Sequence, residues 1–312
     1  MNNHKITHFL SFLVMLIQIH IGGLCITSCN DASEEEYQYI KKEIHYDSDS
    51  LRVLILGNSF SYDGTAYLEE ISEALHLDGK RFCVYNGFIG SGGFQEWTDV
   101  FLSNDTILLT RMAGGIEMKH SSPLRELLQQ PWEVCVILQG SHQSYKWNSF
   151  EHRADQLISL IKSQCPNQQI KIAYAMPWSH TVVNTPTELP GNIKCAWRIV
   201  EEYDVDFVIP VGTAIQNARE THLDNGRYLT RDDWHLCHGA GQYIAACTWY
   251  EAVLEPFFHV SMLDCGVLHP LTASEQEDPT SLPVTETIRR LCQQCAYQAV
   301  QNPFKVTKLA EE

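Results

Sequence analysis

The chain has 312 residues, of which 44% are hydrophobic and 19% are charged, enough apolar material for one large α/β domain or two small ones. Its formal net charge of −16 argues against nucleic acid and anionic membrane surfaces as partners, because both repel an acidic protein. A neutral or weakly charged substrate is favoured instead.

The start of the chain is typical of an export signal. Lys5 precedes an apolar run over residues 9–24, which polar residues interrupt and which is too short for a comfortable membrane span. The run leads to Ile-Thr-Ser-Cys at residues 26–29, which resembles a bacterial lipoprotein box, where cleavage precedes a cysteine that then carries lipid. We predict a lipoprotein signal peptide over residues 1–28 and lipidation of Cys29. A plain signal peptide cut nearby is the alternative.

Residues 29–49 follow, and their first part, residues 30–36, is polar and acidic and has almost no apolar side chain to bury. This composition predicts a flexible tether. An acidic start of this kind resembles lipoproteins displayed on the outer face of some Gram-negative cells. We therefore expect an exported protein that is anchored in the cell envelope by the lipid on Cys29, with the membrane as its partner at that end.

Short apolar runs alternate with amphipathic segments from residue 51 onwards. The runs predict buried strands over residues 52–56, 81–89, 133–138, 170–175 and 205–209. Helical spacing predicts helices over residues 65–77, 150–163, 192–203, 239–254 and 285–300. Such alternation predicts a three-layer α/β/α domain over residues 50–302 with a central, mostly parallel five-stranded sheet, followed by a C-terminal tail over residues 303–312.

Two regions depart from this alternation. Residues 107–120 predict an irregular strand or hairpin, with Gly114-Gly115 as its turn. Residues 261–283 are mixed in polarity and contain proline, so they predict a surface excursion whose role the sequence does not assign.

Eleven cysteines is a high count for an exported chain. Cys135 and Cys247 are examples that lie in apolar surroundings, where a thiol behaves as a small buried hydrophobic group. Cys292 and Cys295 have Cys-x-x-Cys spacing but no second pair, so a buried helix face is favoured over a redox or metal site.

Ligands of an open parallel sheet bind at the carboxyl ends of its strands, so polar residues just after strands are the candidates for chemistry. Ser59 follows the first strand and precedes a helix, where the positive end of the helix dipole favours negative charge. Gly57 permits a sharp exit from the strand. The alternative is that Ser59 or Ser61 is simply a helix N-cap.

Two further strand ends carry candidates. Gly90 follows the second strand, and its N–H can approach a ligand oxygen closely, although a glycine there is usually an ordinary turn. Gln139 ends the third parallel strand, where its carboxamide can donate an N–H to an oxyanion. Satisfaction of Gln139 by loop backbone is an equal alternative.

An aspartate and a histidine lie three residues apart before the helix at 239–254. Asp232 can fix one imidazole nitrogen of His235 while the other nitrogen faces a nucleophile, and Asp233 is the fallback partner. His238 and Cys237 lie beside His235, but no further ligand set with sensible spacing accompanies them. We therefore expect no metal and no organic cofactor.

In this order, the four segments resemble the Ser, Gly, Asn and His blocks of the SGNH (GDSL-type) serine hydrolase superfamily, over residues 51–255. Gly-Asn-Ser-Phe stands at residues 57–60, where that family usually has Gly-Asp-Ser-Leu. The resemblance implies a flavodoxin-like fold and a catalytic triad. It assigns the triad to Ser59, Asp232 and His235 and the oxyanion hole to the N–H groups of Ser59 and Gly90 and the side chain of Gln139.

The third block departs from the family pattern, because Gln139-Gly140 stands where Gly-x-Asn-Asp is usual. This variant resembles the carbohydrate esterase branch. The expected function is therefore that of a serine esterase that removes small O-acyl groups, such as acetyl, from carbohydrate through an acyl-enzyme. The candidate substrate-binding residues near these strand ends are Asn58, Ser141, His142 and Trp178.

Two other functions stay open at this stage. One is a surface glycan-binding lipoprotein that has kept the fold but is catalytically weak, which the atypical third block favours. The other is an O-acyltransferase, because the same acyl-enzyme can pass its acyl group to a sugar or lipid hydroxyl in place of water.

Overall fold

A computed structural model describes residues 37, 39, 43–75, 79–113, 119–223, 226–268 and 271–309. The predicted signal peptide, Cys29 and the first part of the predicted tether lie outside these residues, as does the predicted turn at Gly114-Gly115. Within the described part of the chain, no helix is both long and apolar enough to span a bilayer.

Seven strands form one mixed sheet in the order β4-β3-β2-β1-β5-β6-β7. Their bounds are β1 Ser50–Gly57, β2 Arg81–Phe88, β3 Thr106–Ala113, β4 Lys119–Pro123, β5 Val134–Ile137, β6 Lys171–Ala175 and β7 Phe207–Ile209. The strands β2, β1, β5, β6 and β7 are parallel neighbours, whereas β3 and β4 are antiparallel. The predicted α/β class with a mostly parallel sheet is confirmed.

The predicted number of five strands is wrong. The five predicted runs became the five parallel strands, and the region predicted as an irregular strand or hairpin supplies two more, because β3 pairs with β2 along the sheet edge. The antiparallel pair β3–β4 then covers the edge that β2 would otherwise expose.

Eleven α-helices lie in the described residues. They are α1 Ser59–Thr65, α2 Leu68–Ala74, α3 Phe94–Ser103, α4 Leu124–Leu128, α5 Arg153–Gln164, α6 Thr185–Glu202, α7 Val211–Arg219, α8 Ala240–Trp249, α9 Glu255–Phe258, α10 Ala273–Glu277 and α11 Glu286–Gln301. A π-helical turn over Tyr250–Leu254 joins α8 to α9, and short 3₁₀ turns occupy Trp147–Ser149 and Met262–Asp264. The helix predicted over residues 65–77 is wrong in its bounds, because helical structure begins at Ser59 and is interrupted before Leu68.

Helices cover both faces of the sheet. In β1, Val53 and Ile55 belong to the core that the strands share with α1, α2, α7, α8 and α11. Leu54 and Leu56 are buried as deeply but point to the opposite face, because side chains alternate along a strand. On that face the ring of Phe94 in α3 lies 5.1 Å from the ring of Phe150, which in turn lies 5.7 Å from Tyr174 of β6.

Residues outside the predicted domain of residues 50–302 make contacts at both of its ends. Tyr46, in the predicted tether, donates its hydroxyl hydrogen to the carbonyl of Val253 at 3.3 Å. The ring of Tyr39 packs edge-on against Phe304 of the predicted tail, with centroids 5.1 Å apart. These contacts make the end of the predicted tether and the start of the predicted tail part of the domain.

The nine described cysteines are all free thiols, and eight of them are buried. The exception is Cys83, which is half-buried. Burial raises the pKa of Cys237 and of Cys295 to about 12, so these thiols stay protonated at neutral pH.

Candidate active site

Parallel strand pairing brings three predicted site residues to one edge of the sheet. Gly57 at the end of β1 is opposite Phe88 of β2, so Ser59 and Gly90 both lie two residues beyond that pair. Leu56 is opposite Ile137 of β5, so Asn58 and Gln139 are related in the same way. Ser59, Gly90 and Gln139 therefore leave the sheet side by side at its carboxyl edge.

Helix α1 begins at the nucleophile candidate because Asn58 caps it. The Oδ1 atom of Asn58 accepts a hydrogen bond from the N–H of Phe60 at 3.0 Å. The interpretation of Ser59 or Ser61 as the N-cap is therefore wrong. Ser61 is buried, and its Oγ lies 2.7 Å from the carbonyl oxygen of Asn58 and 2.9 Å from Asn86 Oδ1, so its one hydroxyl hydrogen is already engaged.

Ser59 is half-buried, and neither its Oγ nor its N–H is hydrogen-bonded to a described residue. Gly57 is required here by packing, because a Cβ atom on it would lie 2.1 Å from Ser61 Oγ. This packing reason adds to the prediction that Gly57 permits a sharp exit from the strand. Gly90 is exposed, and an added Cβ there would meet nothing within 4 Å.

Asp232 and His235 form a hydrogen-bonded pair. The Oδ2 atom of Asp232 lies 2.7 Å from His235 Nδ1, while its Oδ1 atom accepts the N–H of His235 at 2.7 Å and that of Trp234 at 3.1 Å. Partial burial opposes ionisation, but these hydrogen bonds from His235 and Trp234 outweigh it and lower the pKa of Asp232 below its ordinary value. The fallback, Asp233, instead occupies the turn with a left-handed φ of 67°.

The loop that carries His235 is attached to helix α1 by Asp63, which the sequence did not single out. Asp63 is buried, and its Oδ2 accepts the N–H of Leu236 at 2.9 Å. Its Oδ1 accepts from Arg231 at 3.0 Å and from Gln242 Nε2 at 2.9 Å. One carboxylate thus joins the nucleophile helix, the histidine loop and helix α8.

The nucleophile and base candidates lie on neighbouring segments. The ring of Phe60, adjacent to Ser59 in the chain, is 5.9 Å from the ring of His235. Ser59 Oγ and His235 Nε2 are not hydrogen-bonded to each other in this structure, and His235 Nε2 has no other partner among the described residues. The arrangement leaves both groups free to act on a third molecule.

The structure corrects the role predicted for Gln139. Its Nε2 donates to the carbonyl of Ser149 at 2.9 Å and to Ser149 Oγ at 3.0 Å, and its Oε1 accepts the N–H groups of Phe94 and Gly140. These backbone partners fix which end of the carboxamide is which. Gln139 therefore caps helix α3 and has no hydrogen left for an oxyanion.

Two of the four predicted substrate-binding residues are placed inside the protein. Asn58 is 2% exposed, and its Nδ2 donates to the carbonyl of Gly92 at 2.8 Å. Trp178 is also buried, where it stacks on Phe60 at 4.1 Å and donates to the carbonyl of Trp234 at 2.8 Å. Both side chains stabilise the loops of the site through buried hydrogen bonds, and neither is accessible to a ligand.

The other two predicted substrate-binding residues are accessible. His142 is exposed, and its ring lies 4.4 Å from that of Trp234, which is 37% exposed. Ser141 is half-buried in the same loop. The accessible surface beside His235 is therefore aromatic, and Trp234 is a part of it that the sequence did not single out.

A second carboxylate–histidine pair lies behind this surface and was also missed. His180 follows β6, and its Nδ1 lies 2.9 Å from Oε1 of Glu188 on α6. Its backbone N–H donates to the other oxygen of Glu188 at 2.8 Å. The local signal, a histidine just beyond a strand end, was available in the sequence, but its carboxylate partner lies on a later helix.

Other features of the molecule do not compete for this role. In the described ranges, no group of three or more His, Cys, Asp and Glu side chains is arranged to hold a metal ion. A depression of about 530 Å³, lined in part by Asp47, Glu133 and Lys171, lies at the opposite edge, where the parallel strands begin. The carboxyl edge carries the free serine and the oriented histidine, so we place the candidate site there.

Comparison with known proteins identifies a family but no activity. Residues 52–264 match the family model described as "Domain of unknown function (DUF4886)". No curated protein sequence matches the chain. The crystal structure of a DUF4886 family protein from Bacteroides uniformis ATCC 8492 is similar, with a TM-score of 0.69, 22% sequence identity, and coverage of 83% of this chain and 98% of that one. The match spans most of the domain, including every candidate residue of the site, and the chain belongs to the DUF4886 family.

Proposed function

We propose that this protein is a serine esterase that forms an acyl-enzyme on Ser59, with His235 as the base and Asp232 as the residue that orients it. The observation that carries the proposal is the Asp232–His235 hydrogen bond of 2.7 Å in a loop that Asp63 attaches to the helix beginning with Ser59. A carboxylate that fixes one imidazole nitrogen leaves the other free to accept a proton from a nucleophile.

The chemistry has two acyl-transfer steps. His235 Nε2 takes the proton of Ser59 as Oγ attacks the ester carbonyl, and the alcohol then leaves with that proton. Water repeats the sequence on the acyl-enzyme and releases the carboxylic acid. Because Ser59 Oγ and His235 Nε2 are not bonded to each other here, substrate binding has to tighten this contact, as is common at catalytic sites without substrate.

The oxyanion is stabilised by backbone groups alone in this proposal. The N–H of Ser59 lies at the start of helix α1 and Gly90 is exposed, and neither N–H is hydrogen-bonded to a described residue. Gln139 is committed to Ser149 and to the start of α3, so it is excluded as the third donor. Loss of one oxyanion donor costs other enzymes about 100- to 1,000-fold in rate, so we expect a slow esterase.

The substrate class follows from the surface beside His235. His142 and Trp234 present aromatic faces, which suit the apolar face of a sugar ring. We therefore propose small O-acyl esters of carbohydrates, such as acetyl esters, as substrates. Export and a lipid on Cys29 remain part of the proposal, and both concern residues outside the described ranges.

Reaction with a fluorophosphonate tests the nucleophile directly. We expect the purified protein to be labelled at Ser59 and to hydrolyse p-nitrophenyl acetate, and we expect Ser59→Ala to lose both properties while its thermal unfolding is unchanged. Ser163→Ala, which alters an exposed serine on α5, is the matched control and should keep both. Hydrolysis that persists in Ser59→Ala would reject the serine mechanism.

The engagement of Gln139 favours a second candidate function. With one oxyanion donor withdrawn, the same fold could serve as a surface glycan-binding protein with little catalysis. That function is supported if wild type binds an acetylated glycoside, stays unlabelled by the fluorophosphonate and does not hydrolyse the ester.

A further inference from the structure

His180 lies beside the candidate site but takes no part in the chemistry described above. It is 3% exposed, and Glu188 holds both its backbone N–H and its Nδ1. The ring is therefore fixed in orientation by a carboxylate, as His235 is by Asp232. Two carboxylate–histidine pairs thus flank Trp234, whose ring centroid is 4.4 Å from that of His180.

The second ring nitrogen of His180 is buried and has no hydrogen-bond partner in the described part of the chain. Burial opposes ionisation of Glu188, but the hydrogen bonds from the ring and backbone of His180 outweigh it and lower the pKa of Glu188. When Nδ1 carries the single proton of the His180 ring and donates it to Glu188, Nε2 is an acceptor. A buried acceptor without a donor is unfavourable, so this atom is suited to a donor that arrives with a ligand.

The surroundings of His180 connect it to both halves of the candidate active site. The ring of Phe60, adjacent to the nucleophile candidate, lies 5.8 Å from the His180 ring, and Trp234 is adjacent to His235 in the chain. His142 lies 6.0 Å away and also contacts Trp234. The unpartnered nitrogen is thus enclosed by the aromatic side chains that border Ser59 and His235.

We propose that His180, held by Glu188, binds a hydroxyl group on the alcohol part of the substrate through its Nε2, with Trp234 moving aside to admit it. The inference rests on the proposed esterase function and deepens it, because it assigns the hydroxyl-bearing substrate class, a sugar or polyol ester, to a named residue. Trp234 is 37% exposed, so its ring has solvent to move into.

A matched pair of esters tests this assignment in turnover. A mono-O-acetylated methyl glucoside carries hydroxyls on its ring, whereas cyclohexyl acetate has a ring of similar size without them. His180→Phe keeps an aromatic ring but removes the acceptor. We expect its kcat/KM to fall about tenfold for the glucoside, the usual size of one lost hydrogen bond, and to stay unchanged for cyclohexyl acetate.

A binding measurement separates this inference from the proposed esterase function. In the Ser59→Ala background, titration calorimetry should show that the acetylated glucoside binds about tenfold more weakly after His180→Phe, whether or not wild type turns it over. Binding that depends on His180 in a protein without esterase activity rejects the esterase and keeps the binding role. Three results would overturn the role of His180. They are an equal fall in kcat/KM for both esters after His180→Phe, glucoside binding that His180→Phe leaves unchanged, and no glucoside binding before the substitution.

A second substitution covers the case in which His180→Phe does not fold. His180→Gln retains an acceptor oxygen and a donor for Glu188, so it should recover part of the preference for the glucoside over cyclohexyl acetate. The acceptor role is contradicted if His180→Gln unfolds thermally like wild type but has lost all preference for the glucoside over cyclohexyl acetate.

Discussion

At the scale of single residues, the orientation of His235 is the feature on which catalysis depends. Asp232→Asn would keep the side-chain shape but favour the wrong imidazole tautomer. We expect kcat to fall by about 10⁴-fold with little change in KM, measured on p-nitrophenyl acetate. Asp233→Asn is the control. Asparagine tolerates the left-handed φ of 67° at this position, so we expect the substitution to leave kcat unaltered. A fall of less than about tenfold in Asp232→Asn would contradict this role.

For Gln139, the sequence indicated that the side chain has a specific task but not which task it is. A carboxamide at the end of an apolar strand does have a task, but it is to join Ser149 to the start of α3. Whether such a side chain faces inward or towards a ligand depends on residues far away in the chain. The sequence could not distinguish these two outcomes.

Gln139→Leu distinguishes a structural role from an oxyanion donor. It would strand several buried hydrogen-bonding groups, so we expect the free energy of unfolding to fall by about 3 kcal/mol in urea denaturation. The esterase rate per folded molecule should stay within a few-fold of wild type. Gln143→Leu, an exposed change nearby, should affect neither quantity. A fall in rate of about 100-fold without loss of stability would restore the oxyanion role.

At the scale of elements, Asp63 determines how the histidine loop lies against α1. Asp63→Asn would replace the buried carboxylate that pairs with Arg231 by a neutral amide, and it would weaken the hydrogen bond from the N–H of Leu236. We expect a loss of about 2 kcal/mol in stability, because the buried carboxylate of Asp63 accepts hydrogen bonds that a neutral amide would make less well. Fluorophosphonate labelling of the folded fraction should slow as well.

Asp99→Asn, on the exposed face of α3, is the control for that experiment and should change neither stability nor labelling. A destabilised Asp63→Asn protein that still reacts at the wild-type rate would show that Asp63 has no positioning role.

Helix α6 adds a pH-dependent contribution through Glu188. Its pKa in the folded protein is below the ordinary value of 4.5, so its ionised form stabilises the fold. This stabilisation is fully present above that ordinary value and is lost as the pH falls through the lowered pKa. The stability difference between wild type and Glu188→Gln should therefore shrink as the pH falls from 6 towards 3 in urea titrations at each pH.

An exposed residue on the same helix serves as the comparison. The stability difference between wild type and Glu201→Gln should not depend on pH in this way. A Glu188→Gln difference that is constant over the same range would contradict an ionised Glu188 that accepts hydrogen bonds from His180.

The parallel strands were predictable because each is a short apolar run with a polar break at its end. The helices were less predictable, both in their bounds and in their number. Helix α6 begins at Thr185, before Pro186 and Pro190, whereas the prediction began at residue 192 because prolines are usually read as helix breakers. Pro186 lies in the first helical turn, where its missing N–H would have had no helical partner, whereas Pro190 lies inside the helix and removes one hydrogen bond. Helix α7 was not predicted, and its burial does not follow residue polarity, because Gln216 and Asn217 are buried along with its apolar residues.

At the scale of the whole molecule, the candidate site is a product of strand order. The order β2-β1-β5 places three loops from separate parts of the chain at one edge, and alternation of strands and helices made that edge predictable. The attachments made by Asp63 and by Glu188 were not predictable, because they join residues that no local pattern relates. The sequence thus indicated where to look for chemistry better than it indicated what supports it.

The free thiols give the folded state a protective function. Eight of the nine described cysteines are enclosed, so the completed fold shields them from oxidants. An unfolded chain offers all of them at once to disulfide-forming catalysts, and any crosslink made then would be non-native. For a protein that reaches an oxidising compartment, as we propose, the yield of active molecules would depend on whether collapse of the core precedes thiol oxidation.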